Sequence, residues 1–246
     1  MNDLPRVPPE ISLVIPVFNE EESLEILAAE IREALGPTGR SYEVLYVDDG
    51  SKDRSPEILA RLLAADPRVR VLRQRRNAGQ SAAFDAGFRA ARGEFVVTLD
   101  ADLQNDPSDI PRLLAAMDRA DVVCGVRANR RDTWVRRASS RIANGVRNRL
   151  THDHVTDTGC SLKAFRTRFL GRLPMFHGMH RFLPTLLKME GARVVEIPVN
   201  HRPRRYGVAK YGIGNRLFRA LADLFAVRWM QKRWLDRSLT EEIPKP

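Results

Sequence analysis

The sequence predicts an α/β fold with a mostly parallel sheet flanked by helices. Continuous apolar runs of strand length, such as ISLVIPVF (11–18), lack the in–out alternation of a half-exposed strand, so both faces are covered. Stretches of helical period separate these runs with short connections, and such alternation builds parallel strands with crossover helices. The chain has 246 residues, 43% hydrophobic and 29% charged. That suits one large domain, or a domain with an appendage, and can bury a substantial core.

The elements follow in order. ISLVIPVF is the first strand, and NEEESLEILAAEIREALG (19–36) a helix with Asn19 as N-cap, acids in its first turn and Gly36 as its stop. YEVLYVDDGS (42–51) is a second strand ending in Asp48 and Asp49, and SPEILARLLAAD (55–66) a second helix. VRVLRQ (69–74) is the third strand, and QSAAFDAGFRAARG (80–93) a third helix closed by Gly93. EFVVTLD (94–100), DIPRLLAAMDRA (109–120) and DVVCGV (121–126) give a fourth strand, a fourth helix and a short fifth strand.

After residue 126 the pattern changes. DTWVRRASSRIANGVRNRLT (132–151) is an Arg-rich helix, and DTGCSLKAFR (157–166) a loop entering a strand or bulge. HRFLPTLLKMEG (180–191) is a helix with Pro184 near its start, ARVVEIPV (192–199) a final strand, and HRPRRYGVAKYG (201–212) a basic, glycine-containing loop. GNRLFRALADLFAVRWMQKRWL (214–235) closes the fold. In it Leu217, Leu221, Leu224, Phe225 and Trp229 recur at helical spacing, with Arg216, Arg219, Arg228, Lys232 and Arg233 around them. This stripe suits a core helix or one lying in a membrane interface. The expected division is a catalytic domain over 1–212 and an amphipathic helix with a tail over 213–246.

The formal net charge of +10 is unevenly spread: eight arginines from Arg127 to Arg149 face one Asp132 and no glutamate. A second basic region runs from His201 to Arg237. Phosphate, anionic lipid or nucleic acid would suit such a half. Aromatics at 7% leave out the interleaved rings of single-strand readers, so nucleic acid is not expected as the partner. Cys124 and Cys160 make neither a disulfide framework nor a zinc pattern, and no histidine is assigned to a metal. With no apolar run before Ile11 and none of spanning length, a cytoplasmic chain or one peripheral to the inner face of the membrane is expected.

The chemistry concentrates at strand ends. In sheets of this kind ligands bind beyond the carboxyl ends of the strands. Three polar clusters lie there and should converge on one crevice: Pro16 to Glu21, Asp48 to Ser51, and Asp100 to Gln104. In FVVTLDADLQNDPSDI (95–110) an apolar strand runs into Asp100 and Asp102. Neighbouring carboxylates repel, and a divalent ion relieves this; Mg or Mn takes oxygen ligands and bridges carboxylates to phosphates. The plainer alternative is turn and cap chemistry. Haloacid-dehalogenase-type phosphatases also use Asp-x-Asp, but after the first strand, whereas here it follows the fourth.

IPVFNEEESL, VDDGS, NAGQSAAFDAG and LDADLQNDP, in this order on alternating strands, together resemble the family-2 glycosyltransferases with a GT-A nucleotide-sugar transferase fold, over about residues 11–130. GVR (125–127), SRIAN (140–144), Asp157 and Gly159 before KAFR, and VNHRPRRYGVAKYG (199–212) are similar to the polyprenyl-phosphate sugar transferases. This is the group of dolichol-phosphate mannosyltransferase and the undecaprenyl-phosphate glycosyltransferases.

The resemblance implies inverting, metal-dependent transfer of a sugar from a UDP- or GDP-linked donor to a polyprenyl phosphate at a membrane surface. It places Pro16, Asn19, Glu20, Asp49 and Gly79 on the donor side, with Asp100 and Ala101, and a divalent metal on Asp100 and Asp102. It places Gln104 beside the metal, Arg127 and Arg141 near phosphates, and Asp157 near the reacting centre. It places Arg202, Arg205 and Lys210 on a loop over donor and acceptor. Where the group commonly has Ser-Lys-Tyr/Phe in that loop, this sequence has Ala209-Lys210-Tyr211, and DTGCSLKAFR departs from the mannosyltransferase pattern D-x-x-S-G-F-R. Transfer to a saccharide hydroxyl, which needs a general base, is the other enzymatic alternative; a homo-oligomer is left open.

Overall fold

The computed structural model describes residues 7–128, 145, 147–151, 155–173, 175–206 and 214–235. Among them seven strands form one sheet: β1 (Ile11–Val17), β2 (Tyr42–Asp48), β3 (Val69–Arg73), β4 (Phe95–Thr98), β5 (Val122–Arg127), β6 (Lys163–Arg166) and β7 (Val194–Val199). The helices are α1 (Leu24–Leu35), α2 (Ser55–Ala65), α3 (Gln80–Ala90), α4 (Ile110–Ala116), α5 (Leu183–Met189) and α6 (Gly214–Arg233). The strand order is β3-β2-β1-β4-β6-β5-β7. Pairings are parallel except those of β6, which is antiparallel to both β4 and β5. The carboxyl ends of the other strands therefore share one rim with the start of β6, and the 157–162 loop reaches the same rim as the turns after β1, β2 and β4.

Strand periodicity divides the core between two faces. Ile11, Leu13, Ile15 and Val17 of β1 pack with Leu24, Leu27 and Ile31 of α1 and Leu113 of α4. Val14 faces the other way, with Phe84 and Phe88 of α3, Phe165 of β6 and Leu186 of α5. This explains why β1 is apolar on both faces, Ser12 apart.

Three of the boundaries that differ from the sequence expectation have a plain physical reason. Helix α1 begins at Leu24 with Ser23 at its N-cap position, because Asn19 adopts φ 52° and belongs to the preceding turn. The fourth helix is preceded by a 3-10 turn over Pro107–Asp109, in which Asp106 accepts from Ser108 N. Helix α3 stops at Ala90, before Gly93. There the chain runs against β1: Gly93 N and Arg92 N donate to Ser12 Oγ at 2.9 and 3.1 Å. Ser12 Oγ in turn donates to buried Glu43 at 2.6 Å, and Glu43 also takes Arg70 at 2.7 Å.

The stripe expected on the last helix is split. Leu224 and Val227 are buried, while Phe225 and Trp229 are 62% and 64% exposed. The Arg-rich segment is described at 145 and 147–151, where it is helical.

A Cβ on Gly93 would lie 2.7 Å from Ser12 N and 2.8 Å from Ile11 C, both backbone atoms of the central strand. Gly93→Ala is expected to destabilise the protein by about 2 kcal/mol, through overpacking. A lower midpoint in denaturant titration checks this.

Candidate active site

The site begins with two stapled turns. Asn19 N donates to Ser51 Oγ at 3.0 Å, and Asn19 Oδ1 accepts from Lys52 N at 2.8 Å. Glu20 N donates to Ser55 Oγ at 2.9 Å. These bonds hold the turn after β1 against the turn after β2, so Pro16, Glu20 and Asp49 line one cleft. Asp49 is buried and accepts Ala78 N at 2.7 Å and Gly79 N at 2.9 Å, with Gly79 at φ 87°. Burial raises its pKa, and the two amides oppose the shift by favouring the carboxylate.

Across the cleft stand the acids that follow β4. Asp100 Oδ1 accepts from Gln80 Nε2, at the start of α3, at 2.7 Å. Asp102, buried, accepts Gln104 N on Oδ1 at 3.2 Å and Arg204 Nη2 on Oδ2 at 2.6 Å. Leu103 at φ 60° lets the chain turn sharply between them and Gln104. Ala101 is buried and also lines the cleft. The 157–162 loop is pinned here: Thr98 Oγ1 donates to Ser161 O at 2.7 Å, and Asn105 Nδ2 to Ser161 Oγ at 2.6 Å. Buried Lys163 donates to Cys160 O.

The Asp100 carboxyl is pushed up to about 6, first by desolvation and then by the charge of Asp102, with Ser161 and Lys163 opposing. This pair suits a hard cation. Among the described residues no third acid, His or Cys completes a metal-holding group. Two carboxylates would then leave the remaining positions to phosphate oxygens or water, as Mg or Mn accepts.

Arg127 and Asp157 meet each other. Arg127 Nε and Nη2 each lie 2.8 Å from an Asp157 oxygen, Arg127 N donates to Oδ2 at 3.2 Å, and Gly159 N donates to Oδ1 at 3.2 Å. Both side chains are largely buried, at 18% and 8% exposure. Arg202 spans Glu30, at 2.8 and 2.9 Å, and Asp106, at 2.9 Å. Gln104 accepts Arg202 N on its carbonyl at 2.9 Å, and Arg205 is exposed. Arg141 and Lys210 lie outside the described residues. Arg204 is, with Asn77 and Gln80, a cleft residue the sequence reading did not single out. It sits in an irregular run of four basic residues among five, HRPRR, with no periodicity to say which one faces inward.

Two outcomes are expected from this geometry. A folded Asp100 keeps its proton to about 6, against 3.8 for an ordinary Asp. Folding takes up a proton between those values, so stability falls as pH rises through that window. Asp100→Asn escapes the loss. In chelator it should be more stable than the native protein by up to about 3 kcal/mol above the window, a gain that vanishes below it, read by denaturant titration across pH. Asp157→Ala leaves the Arg127 charge without its partner and should cost about 3 kcal/mol, read from the same titration.

Comparison with known proteins places these features in a wider set. The model of the family described as Glycosyl transferase family 2 matches residues 12–173. An undecaprenyl-phosphate 4-deoxy-4-formamido-L-arabinose transferase of Edwardsiella ictaluri (strain 93-146) is 43% identical over 217 residues, which are 87% of this chain. The chain spans 66% of that relative's length, just under two thirds. Among solved structures, glucosyl-3-phosphoglycerate synthase from Mycobacterium tuberculosis in complex with Mn2+, uridine diphosphate and phosphoglyceric acid matches with a TM-score of 0.66 at 19% identity, over 93% of this chain and 80% of that one. A mannosyltransferase from Pyrobaculum calidifontis in complex with GDP-Man and Mn2+ gives 0.63 at 21% identity, over 95% of this chain and 66% of that one. The two structural matches establish a common fold.

Proposed function

We infer that this chain, which belongs to glycosyl transferase family 2 and has the GT-A fold, transfers a sugar from a nucleotide-sugar to the phosphate of a membrane polyprenol, with inversion. The observation that carries the reading is one cleft with Pro16, Glu20 and Asp49 on one wall and Asp100 and Asp102 on the other. The 43% identity to an undecaprenyl-phosphate sugar transferase supports the acceptor class.

Each residue then has a task. Glu20 and Asp49, beside Pro16, orient the nucleoside. Asp100 and Asp102 would hold a divalent ion, Mg or Mn, which would supply positive charge to offset that of the departing diphosphate. Gln104 stands at the edge of that site. Arg127, whose guanidinium is held bidentately by Asp157, is the residue we assign to phosphate, an anion that guanidinium suits.

The acceptor chemistry follows from the same ion pair. A phosphate is already largely ionised near neutrality, since its second pKa lies near 6. It can attack without giving up a proton in the step. A saccharide hydroxyl needs a base, yet both oxygens of Asp157 are taken by Arg127. That favours phosphate as the nucleophile, with Asp157 as a positioning residue.

A lipid-borne acceptor would put the work at a bilayer surface, and we assign it to the cytoplasmic side. Helix α6 suits that location, with Phe225 and Trp229 exposed beside Arg228, Lys232 and Arg233. Among the described residues no helix is long and apolar enough to cross a membrane.

The test is transfer of labelled sugar from a panel of UDP- and GDP-sugars, 4-deoxy-4-formamido-L-arabinose among them, to undecaprenyl phosphate with Mn, Mg or EDTA. Metal-dependent glycolipid is expected, with Asp102→Asn lowering kcat/KM by roughly 100-fold or more. Donor hydrolysis without glycolipid would move the acceptor elsewhere. Absence of turnover and of nucleotide-sugar binding by the folded protein would sink the transferase reading.

A further inference from the structure

We propose that Arg204 is a built-in stand-in for the divalent ion: its guanidinium sits on Asp102 until a metal–nucleotide complex dislodges it, and it then becomes a ligand of the diphosphate. This rests on the reading that Asp102 holds the metal.

The contact is specific. Arg204 Nη2 lies 2.6 Å from Asp102 Oδ2, and the other Asp102 oxygen accepts Gln104 N. Asp102 is almost wholly buried, whereas the Arg204 side chain is 31% exposed at the cleft mouth. A divalent ion on Oδ2 would stand within a few ångströms of the guanidinium. At that range the two positive charges repel strongly, so they compete for one oxygen.

The segment carrying Arg204 is built to release it without leaving. Arg202 is riveted to the acidic turn through its amide on Gln104 O and its side chain on Glu30 and Asp106. His201 forms a bridge with Asn105. Arg204 follows two residues later, so its backbone stays within about 7 Å of the rivet. A displaced guanidinium thus remains at the cleft, where the arriving diphosphate is the nearest new anion and a fitting bidentate partner.

The two states have opposite dependence on the side chain. Metal alone competes with Arg204, whereas metal with diphosphate recruits it. Removing a purely structural arginine would weaken both kinds of binding or change neither.

The experiment titrates Mn2+ into the full chain, native and Arg204→Ala, reading free ion by electron paramagnetic resonance. It is repeated with UDP and, in parallel, GDP. Arg204→Ala should bind Mn2+ alone more tightly, by up to about fivefold. With saturating Mn2+ it should bind the nucleotide several-fold more weakly. Adding Asp102→Asn should erase the gain, and Arg204→Gln should reproduce it with a side chain that stays polar but carries no charge. Equal or weaker Mn2+ binding by both Arg204 variants overturns the proposal, and leaves the transferase reading standing wherever glycolipid forms with Mn2+. Failure of all proteins to take up Mn2+, with or without nucleotide, overturns this proposal and the metal-site reading together.

Discussion

Compensation of negative charge at the sheet's carboxyl rim is the constraint on which the architecture of the cleft depends. Asp48, Asp49, Asp100 and Asp102 end two strands that flank β1, and like charges so placed cannot be buried unanswered. Each is met by a donor from a neighbouring turn or loop. Asp48 takes Ser51 N at 2.9 Å, Asp49 the amides of Ala78 and Gly79, Asp100 the Gln80 side chain, and Asp102 Arg204. The acids therefore organise the loops around them. The turn before α3 is drawn to both Asp49 and Asp100, and the basic segment after β7 is drawn across to the turn after β4. The cleft is pre-shaped by the same charges that would hold a metal and a nucleoside.

The antiparallel β6 supplies the other wall. A strand inserted in the common direction would put its preceding loop at the opposite edge of the sheet. Reversed, it delivers Asp157, Gly159 and Ser161 to the rim, where Ser161 ties to Thr98 and Asn105. The Arg127–Asp157 pair then closes β5 onto that loop. A Cβ on Gly159 would lie 2.8 Å from Arg127 Nη2, so the smallest residue is what lets the guanidinium lie flat there.

Much of this was legible in the sequence, for physical reasons. Strand β1 declares itself because burial on both faces forces an unbroken apolar run, and the acids after β4 stand out because charge is costly at such a place. The direction of β6 was not legible. KAFR is four residues with a charge at each end, and its pairing depends on contacts with β4 and β5 far away in sequence. The stop of α3 was missed because Gly93 looks like a helix terminator, while its use is a close approach to β1. Arg204 was missed because neighbouring arginines in an irregular segment carry no periodic signal. Only the fold decides that Arg202 faces Glu30 and Asp106 while Arg204 faces Asp102.

On the reading of α6 as an interfacial helix, its attachment matters as much as its exposed rings. Leu224 and Val227 are buried in the second core face, so the helix is anchored while Phe225 and Trp229 look outward. Just before Leu224, Asp223 meets Gly178, whose φ of 89° and missing Cβ admit the carboxylate; a Cβ would lie 2.2 Å from Oδ2. Gly178 N donates to Ser81 Oγ at 3.1 Å, and Ser81 also meets His180 Nδ1 at 2.8 Å. Ser81 follows Gln80, the residue that holds Asp100. A lipid surface on α6 and the carboxylates of the cleft are therefore referenced to one rigid set of contacts, at the start of α3. A phosphate presented at the bilayer must arrive at a fixed height relative to the donor, and a helix tied to the acid site by packing rather than by a long loop sets that height.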